Sequence, residues 1–161
     1  MTIVNDPKMQ DELKHFAEEI GLIIEQMGLQ RMVGRMLGWL LICDPPHQSM
    51  NELVEALNAS KASISNSTRL LIQIGLIERI SLPDYRYDHY RLKPGAWYEI
   101  TKADLEKLIS LHQVAERGLE MLADKDPQLK KRLQEMQHVC SFWERELPVL
   151  IKQLEQTRSE S

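Results

Sequence analysis

Between residues 60 and 73 the chain carries Ser60, Lys61, Ala62, Ser63, Ser65, Asn66, Arg69 and Gln73. On a helix, Ala62, Ser65, Asn66, Arg69 and Gln73 fall on one side, opposite Ile64, Ser67, Leu71 and Ile74. Small side chains allow close approach to a groove, and an amide and a guanidinium can donate to base edges or phosphates. Lys61 and Ser63 sit at the positive helix end, where anions are favoured. This is the chemistry of duplex DNA recognition. Surface helices with no ligand carry similar residues, so the neighbouring elements must decide.

Ser49-Met50-Asn51-Glu52 has the capping-box form, and it opens a short helix to about Leu57 that buries Leu53, Val54 and Leu57. Asn58-Ala59 turns, Ser60 is a good N-cap for a helix over 61–74, and Gly75 ends it. Leu76–Leu82 alternates like a strand, Pro83-Asp84-Tyr85-Arg86 is turn-like, and Tyr87–Leu92 is strand-like again. Helix, turn, helix and hairpin in that order spell a winged helix-turn-helix. Arg86 is the candidate tip residue for backbone contact, and Tyr85 and Tyr87 either pack the hairpin base or touch sugar-phosphate.

The flanking segments are helical. Leu13, Phe16, Ile20, Ile23, Ile24 and Met27 predict an amphipathic helix over 8–27, stopped near Gly28. A more uniformly apolar helix over 30–43 ends at Asp44-Pro45-Pro46. Gly34 and Gly38 are four apart, a spacing that would allow close helix approach but is read as chance. Pro94-Gly95 breaks the pattern, and helix resumes from about 101, with Leu105, Leu108, Leu111, Ala115, Leu119 and Leu122 on its apolar face. Asp126-Pro127 caps a last helix whose apolar residues, Leu129 to Leu154, step by four and three, as in helices that pack along helices. Pro148 predicts a kink or restart within it, and the tail from Gln156 is expected to fray.

The 161 residues carry a net charge of −4, which is unhelpful for a DNA binder until it is resolved along the chain. Residues 1–30 have two basic and six acidic side chains, residues 94–161 ten and twelve, but residues 61–93 have six and three, net +3. The excess cations thus sit in the proposed second helix and wing. No stretch of 18 apolar residues is present, and the start, MTIVNDPKMQDE, has no secretory pattern, so a cytoplasmic protein is expected. Cys43 and Cys140 read as buried free thiols. The five histidines are read as isolated core or surface residues, His47 and Cys43 straddling the Pro-Pro turn and His138 lying two from Cys140. No metal motif, no nucleophile elbow and no phosphate-cradling glycine loop is present, so no enzyme activity, metal or cofactor is expected. Trp39, Trp97, Tyr98 and Trp143 could line an aromatic pocket suited to a quaternary ammonium, although core and interface packing is the stronger reading.

The run Arg31-Met32-Val33-Gly34-Arg35-Met36-Leu37-Gly38-Trp39-Leu40-Leu41-Ile42-Cys43-Asp44-Pro45-Pro46 resembles the opening helix of MarR-type regulators of the GbsR-like branch. Leu53–Leu57, Ser60–Ser65, Arg69–Leu71 and Gly75–Arg79 continue the likeness, which covers about residues 30–92. The resemblance implies a cytoplasmic homodimeric regulator, most often a repressor, with recognition helix 61–74, wing Ser81–Tyr90 and dimerising terminal helices. It also implies a small effector bound between dimer region and DNA-binding lobe. This wing departs from the pattern in having one tip arginine and two tyrosines, where related wings are often richer in arginine.

The expected architecture is mainly α with a small β-wing: an N-terminal dimerisation helix (1–29), a winged helix-turn-helix DNA-binding domain (30–93) and a C-terminal helical dimerisation region (94–161). The expected partners are a palindromic duplex operator, a second copy of the chain and a small effector near Trp39, Trp97 and Tyr98, with no membrane. The alternative is a winged-helix scaffold that binds protein and not DNA.

Overall fold

The computed structural model describes residues 7–159, and expectations touching residues 1–6 and 160–161 lie outside them. Two compact units divide between Ala96 and Trp97. The first begins with α1 (Pro7–Gln26) and α2 (Arg31–Ile42), joined by a turn in which Gly28 takes φ +89°. The two helices are in backbone contact. A Cβ on Gly34 would lie 2.7 Å from the Gly21 Cα and 2.8 Å from the Ile20 carbonyl oxygen, and one on Gly38 would lie 2.8 Å from the Ala17 Cα. The four-residue glycine spacing is therefore packing, not chance. Arg31 and Arg35 lie on the same face of α2 as the two glycines and pair with Glu18 of α1 at 2.9 and 2.8 Å.

A two-residue strand β1 (Gln48–Ser49) leads into α3 (Met50–Leu57) and α4 (Lys61–Ile74). The capping box is complete: the Ser49 amide donates to the Glu52 carboxylate at 2.6 Å, and the Glu52 amide to the Ser49 hydroxyl at 3.3 Å. The Ser60 hydroxyl accepts from the Ser63 amide at 3.1 Å, and Gly75, at φ +90°, closes α4. Strands β2 (Ile77–Ile80) and β3 (His89–Leu92) follow, and the antiparallel sheet runs β1-β3-β2 with Ser49 and Ile80 both opposite His89. The core joins Val33, Met36, Leu37 and Leu40 of α2 to Leu53, Leu57, Ile64, Leu71 and Ile77. The β-ladder is shorter than the expected strands, because residues 81–88 lie outside it and form the wing loop.

The second unit, from the second residue of α5 onward, is an antiparallel pair, α5 (Ala96–Met121) and α6 (Pro127–Ser159). The Lys102–Glu155 and His112–Glu144 ion pairs link the two helices. Near the turn, a Cβ on Gly118 would lie 2.8 Å from a Leu133 methyl. Helix α5 begins five residues earlier than expected, directly after Gly95. Helix α6 does not restart at Pro148, and residues 156–159, expected to fray, remain helical. The fold is mainly helical, with a small antiparallel wing and flanking helices, and no helix among the described residues is long and apolar enough to cross a membrane.

The glycine contact gives a test whose sign is informative. In a free helix, alanine is worth roughly 1 kcal/mol more than glycine. Here the atoms opposite Gly34 are mostly backbone and cannot swing aside, so Gly34→Ala should lower stability by about 1–3 kcal/mol through overpacking. The measurement is a urea unfolding midpoint at constant slope. A raised midpoint would mean that α1 and α2 can separate without cost.

Candidate DNA interface

Helix α4 divides cleanly into two faces. Ile64, Ser67, Thr68 and Leu71 are buried, and the Thr68 hydroxyl donates to the Ile64 carbonyl at 2.8 Å with the Met36 sulfur 3.6 Å away. Ser60, Lys61, Ala62, Asn66, Arg69 and Gln73 are exposed, with Ser63 and Ser65 half-buried at the margin. Arg69 donates from Nη2 to the Asn66 side-chain oxygen at 3.2 Å. Both side chains are exposed, so this face offers solvent the amide NH₂ group and the remaining guanidinium N–H groups as donors.

Charge pairing sharpens the balance read from the sequence. In the sheet, Arg91 bonds Glu78 at 2.7 Å, across the register that places them opposite each other. Arg79 lies 3.5 Å from Asp88, which also accepts from the Ser81 hydroxyl at 2.8 Å. Among the described residues, no carboxylate lies within ion-pair distance of Lys61, Arg69, Arg86 or Lys93. The cations left uncompensated therefore include those of the exposed α4 face and the wing tip.

The two wing tyrosines have different surroundings. The Tyr85 ring packs edge-on against His89 at 4.4 Å between centroids and against His47 at 5.7 Å, while His47 and His89 stand 5.0 Å apart. Both rings are exposed, but Tyr87 has no such ring contact among the described residues and instead has the Arg86 guanidinium 5.6 Å from its ring centre. Tyr85 thus anchors the wing to the segment before α3, and Tyr87 and Arg86 form the free tip. His89 is buried, donating through Nδ1 to the Tyr87 carbonyl at 3.0 Å, with Nε2 3.7 Å from Glu52. The reading of the histidines as isolated fails here, and also at His112, whose Nδ1 meets Glu144 at 2.6 Å. Sequence alone could not pair them, because His47 and His89 meet only through the β1–β3 register. No group of three or more metal-binding side chains is assembled among the described residues.

Glu52 is held below the ordinary glutamate value of 4.5. Partial burial pushes it up, but the hydrogen bonds from the Ser49 amide and hydroxyl, with His89 and His47 nearby, outweigh burial. Burial pushes the Cys43 thiol up to about 11, so it is a neutral, unreactive group that donates weakly to the Leu40 carbonyl. Trp39 is buried with its indole N–H 3.5 Å from the Gln48 side-chain oxygen. It borders an open hollow of about 290 Å³ lined also by Gln10, Lys14, Gln48, Glu52, Glu55 and Ala56. Trp97, exposed, and Tyr98, half-buried, lie at the start of α5 in the second unit.

Comparison with known proteins identifies the family. Residues 95–157 match the family described as MmpR5-like MarR family transcriptional regulator. The chain is 38% identical over 135 residues to the HTH-type transcriptional regulator MmpR5 of Mycobacterium tuberculosis, covering 84% of this chain and 82% of that protein. The chain belongs to the MarR family of transcriptional regulators. A crystal structure described as that of a transcriptional regulator superposes with a TM-score of 0.77 at 36% identity, over 90% of this chain and 99% of that one. As a MarR-family member the protein is a DNA-binding winged helix-turn-helix regulator and not an enzyme, and the protein-binding scaffold is set aside.

The Glu52 carboxylate gives a pH test. A carboxyl group with a lowered folded pKa stabilises the fold while ionised; that stabilisation is complete above 4.5 and is lost as pH falls through the folded value. Glu52→Gln keeps a capping-box side chain but cannot titrate. The variant's thermal midpoint should fall less steeply than wild type as pH drops below about 5. Parallel acid limbs for the two proteins would remove Glu52 as a contributor.

Proposed function

We propose that this MarR-family regulator acts in the cytoplasm as a homodimeric repressor that reads a palindromic operator with two copies of α4. The observation that carries the reading is the outer face of α4, where Asn66 and Arg69 present donors and, among the described residues, no carboxylate pairs with Lys61 or Arg69. Donor-rich side chains match the acceptors N7 and O6 of guanine in the major groove. Ser60, Lys61 and Ser63 stand at the helix N-terminus, suited to phosphate, and Ala62, Ser65 and Gln73 complete the surface. Arg86 and Tyr87 are the wing's backbone contacts, with Tyr85 holding the wing in place.

A second copy is supported by apolar surface that the single chain leaves uncovered. On α1 it includes Leu22 and Ile23, continued by Met27 in the turn that follows, 72% exposed; on α6 it includes Phe142, Val149, Leu150 and Leu154. The reading assigns residues 1–29 and 94–161 to dimerisation and 30–93 to DNA binding. A palindrome then follows from two-fold symmetry, with half-sites about one helical turn apart. Effector control through Trp39, Trp97 and Tyr98 belongs to the same reading and rests on their aromatic character. The GbsR-like sub-branch rests on the run Arg31–Pro46.

The test uses a duplex selected from random-sequence DNA by the wild-type protein. Asn66→Ala and Arg69→Ala should each weaken binding by about 1–3 kcal/mol and relax preference at one base position, with the dimer intact by light scattering. Unchanged affinity in both would sink the recognition-helix assignment. Arg86→Ala should weaken all sequences alike and reduce the slope of log affinity against log salt by about one. A change in sequence preference would instead make Arg86 a base reader.

A further inference from the structure

The turn between α3 and α4 is tied to α1 through one side chain. Arg35 reaches from α2 and donates from Nη2 to the Leu57 carbonyl oxygen at 2.9 Å, while its Nε lies 2.8 Å from Glu18 of α1. Leu57 is the last residue of α3, whose terminal carbonyls have no partner within the helix. Asn58 follows in the left-handed conformation, φ +46°, and Ser60 caps α4 two residues later. A planar guanidinium offers its donors in a fixed fork, so it cannot swing to follow one partner without losing the other. The stem of Arg35 passes against Gly21, where a Cβ would stand 2.7 Å from Cγ, so α1 has left room for it.

Arg31 supplies an internal comparison. It pairs with the same Glu18 at 2.9 Å and approaches Glu25 at 3.8 Å, so among the described residues both of its ion-pair partners lie on α1. Both arginines fasten α1 to α2, but Arg35 carries the connection to the start of the recognition helix. We infer that Arg35 is a positioning residue for DNA recognition: through it, Glu18 on the N-terminal helix sets the α3–α4 turn and hence the placement of α4. A displacement of α1 would then drag the turn or break one side of the fork. This rests on the reading of α4 as the recognition helix.

The experiment measures affinity for the selected duplex and for a scrambled duplex, together with thermal midpoints. Arg35→Gln should lower affinity for the selected duplex about tenfold and leave that for the scrambled duplex unchanged. Arg31→Gln should lower the midpoint comparably and leave both affinities unchanged. Arg35→Lys keeps a charge for Glu18 but lacks the fork, so it should recover stability ahead of affinity. Should Arg35→Gln fail to fold, Glu18→Gln, which leaves the Leu57 bond in place, should lose about threefold on the selected duplex alone. The inference is overturned if Arg31→Gln and Arg35→Gln change affinity equally, or if Arg35→Lys restores both properties together. It is overturned too if the Arg35→Gln and Glu18→Gln variants bind like wild type while Arg69→Ala does not. Failure of Arg69→Ala and Asn66→Ala to weaken binding would instead reject the underlying reading.

Discussion

Everything in the first unit depends on how closely α1 lies against α2. At Gly34 and Gly38 the backbones touch, and on the same α2 face Arg31 and Arg35 bond Glu18. Close approach shortens the distance a side chain must cross, which is why Arg35 can hold Glu18 and the end of α3 at once. The opposite side of α2 supplies much of the core against which α3 and α4 are laid. A single twelve-residue helix therefore receives the N-terminal helix on one side and carries the reading head on the other.

The reading head is fixed by local chemistry at each end. Serine caps begin α3 and α4, and the left-handed Asn58 and Gly75 end them. The wing is fixed by something less local. His47, Tyr85 and His89 form a small aromatic cluster, and Glu52 serves both its own helix cap and the neighbourhood of His89. The base of the hairpin is thus attached to the start of α3, while Arg86 and Tyr87 stay free at its tip.

What could be read from sequence follows the range of the interactions involved. The caps at Ser49 and Ser60 and the two faces of α4 depend on residues within a turn or two, and all were legible. The Gly34–Gly38 spacing was visible but had no meaning until Gly21 and Ala17 stood opposite it. The strands read from sequence extend too far, to Leu82 and from Tyr87, because alternation continues past the point where cross-strand partners end. The sequence pattern starts α5 late, at about 101, because the apolar periodicity becomes regular only there, whereas the helix begins directly after the Pro94-Gly95 break. The histidine pairing and the Arg35 fork join residues 42 and 22 apart in the chain, and no spacing rule reaches that far. Of the candidate site, the exposed polar face of α4 was legible, whereas the different contacts of Tyr85 and Tyr87 required the fold.

The glycine contact also bears on how such a regulator would be lost through mutation. Every amino-acid change reachable from a glycine codon by one base substitution adds at least a Cβ, and most add far more. At positions 34 and 38 each such change meets another helix at under 3 Å, and at 21 it meets the Arg35 stem. These codons offer no conservative neighbour. Inactivating alleles should accordingly concentrate on an internal seam distant in chemistry from the DNA-reading surface, and would be misjudged by any survey that scores only residues able to touch a ligand.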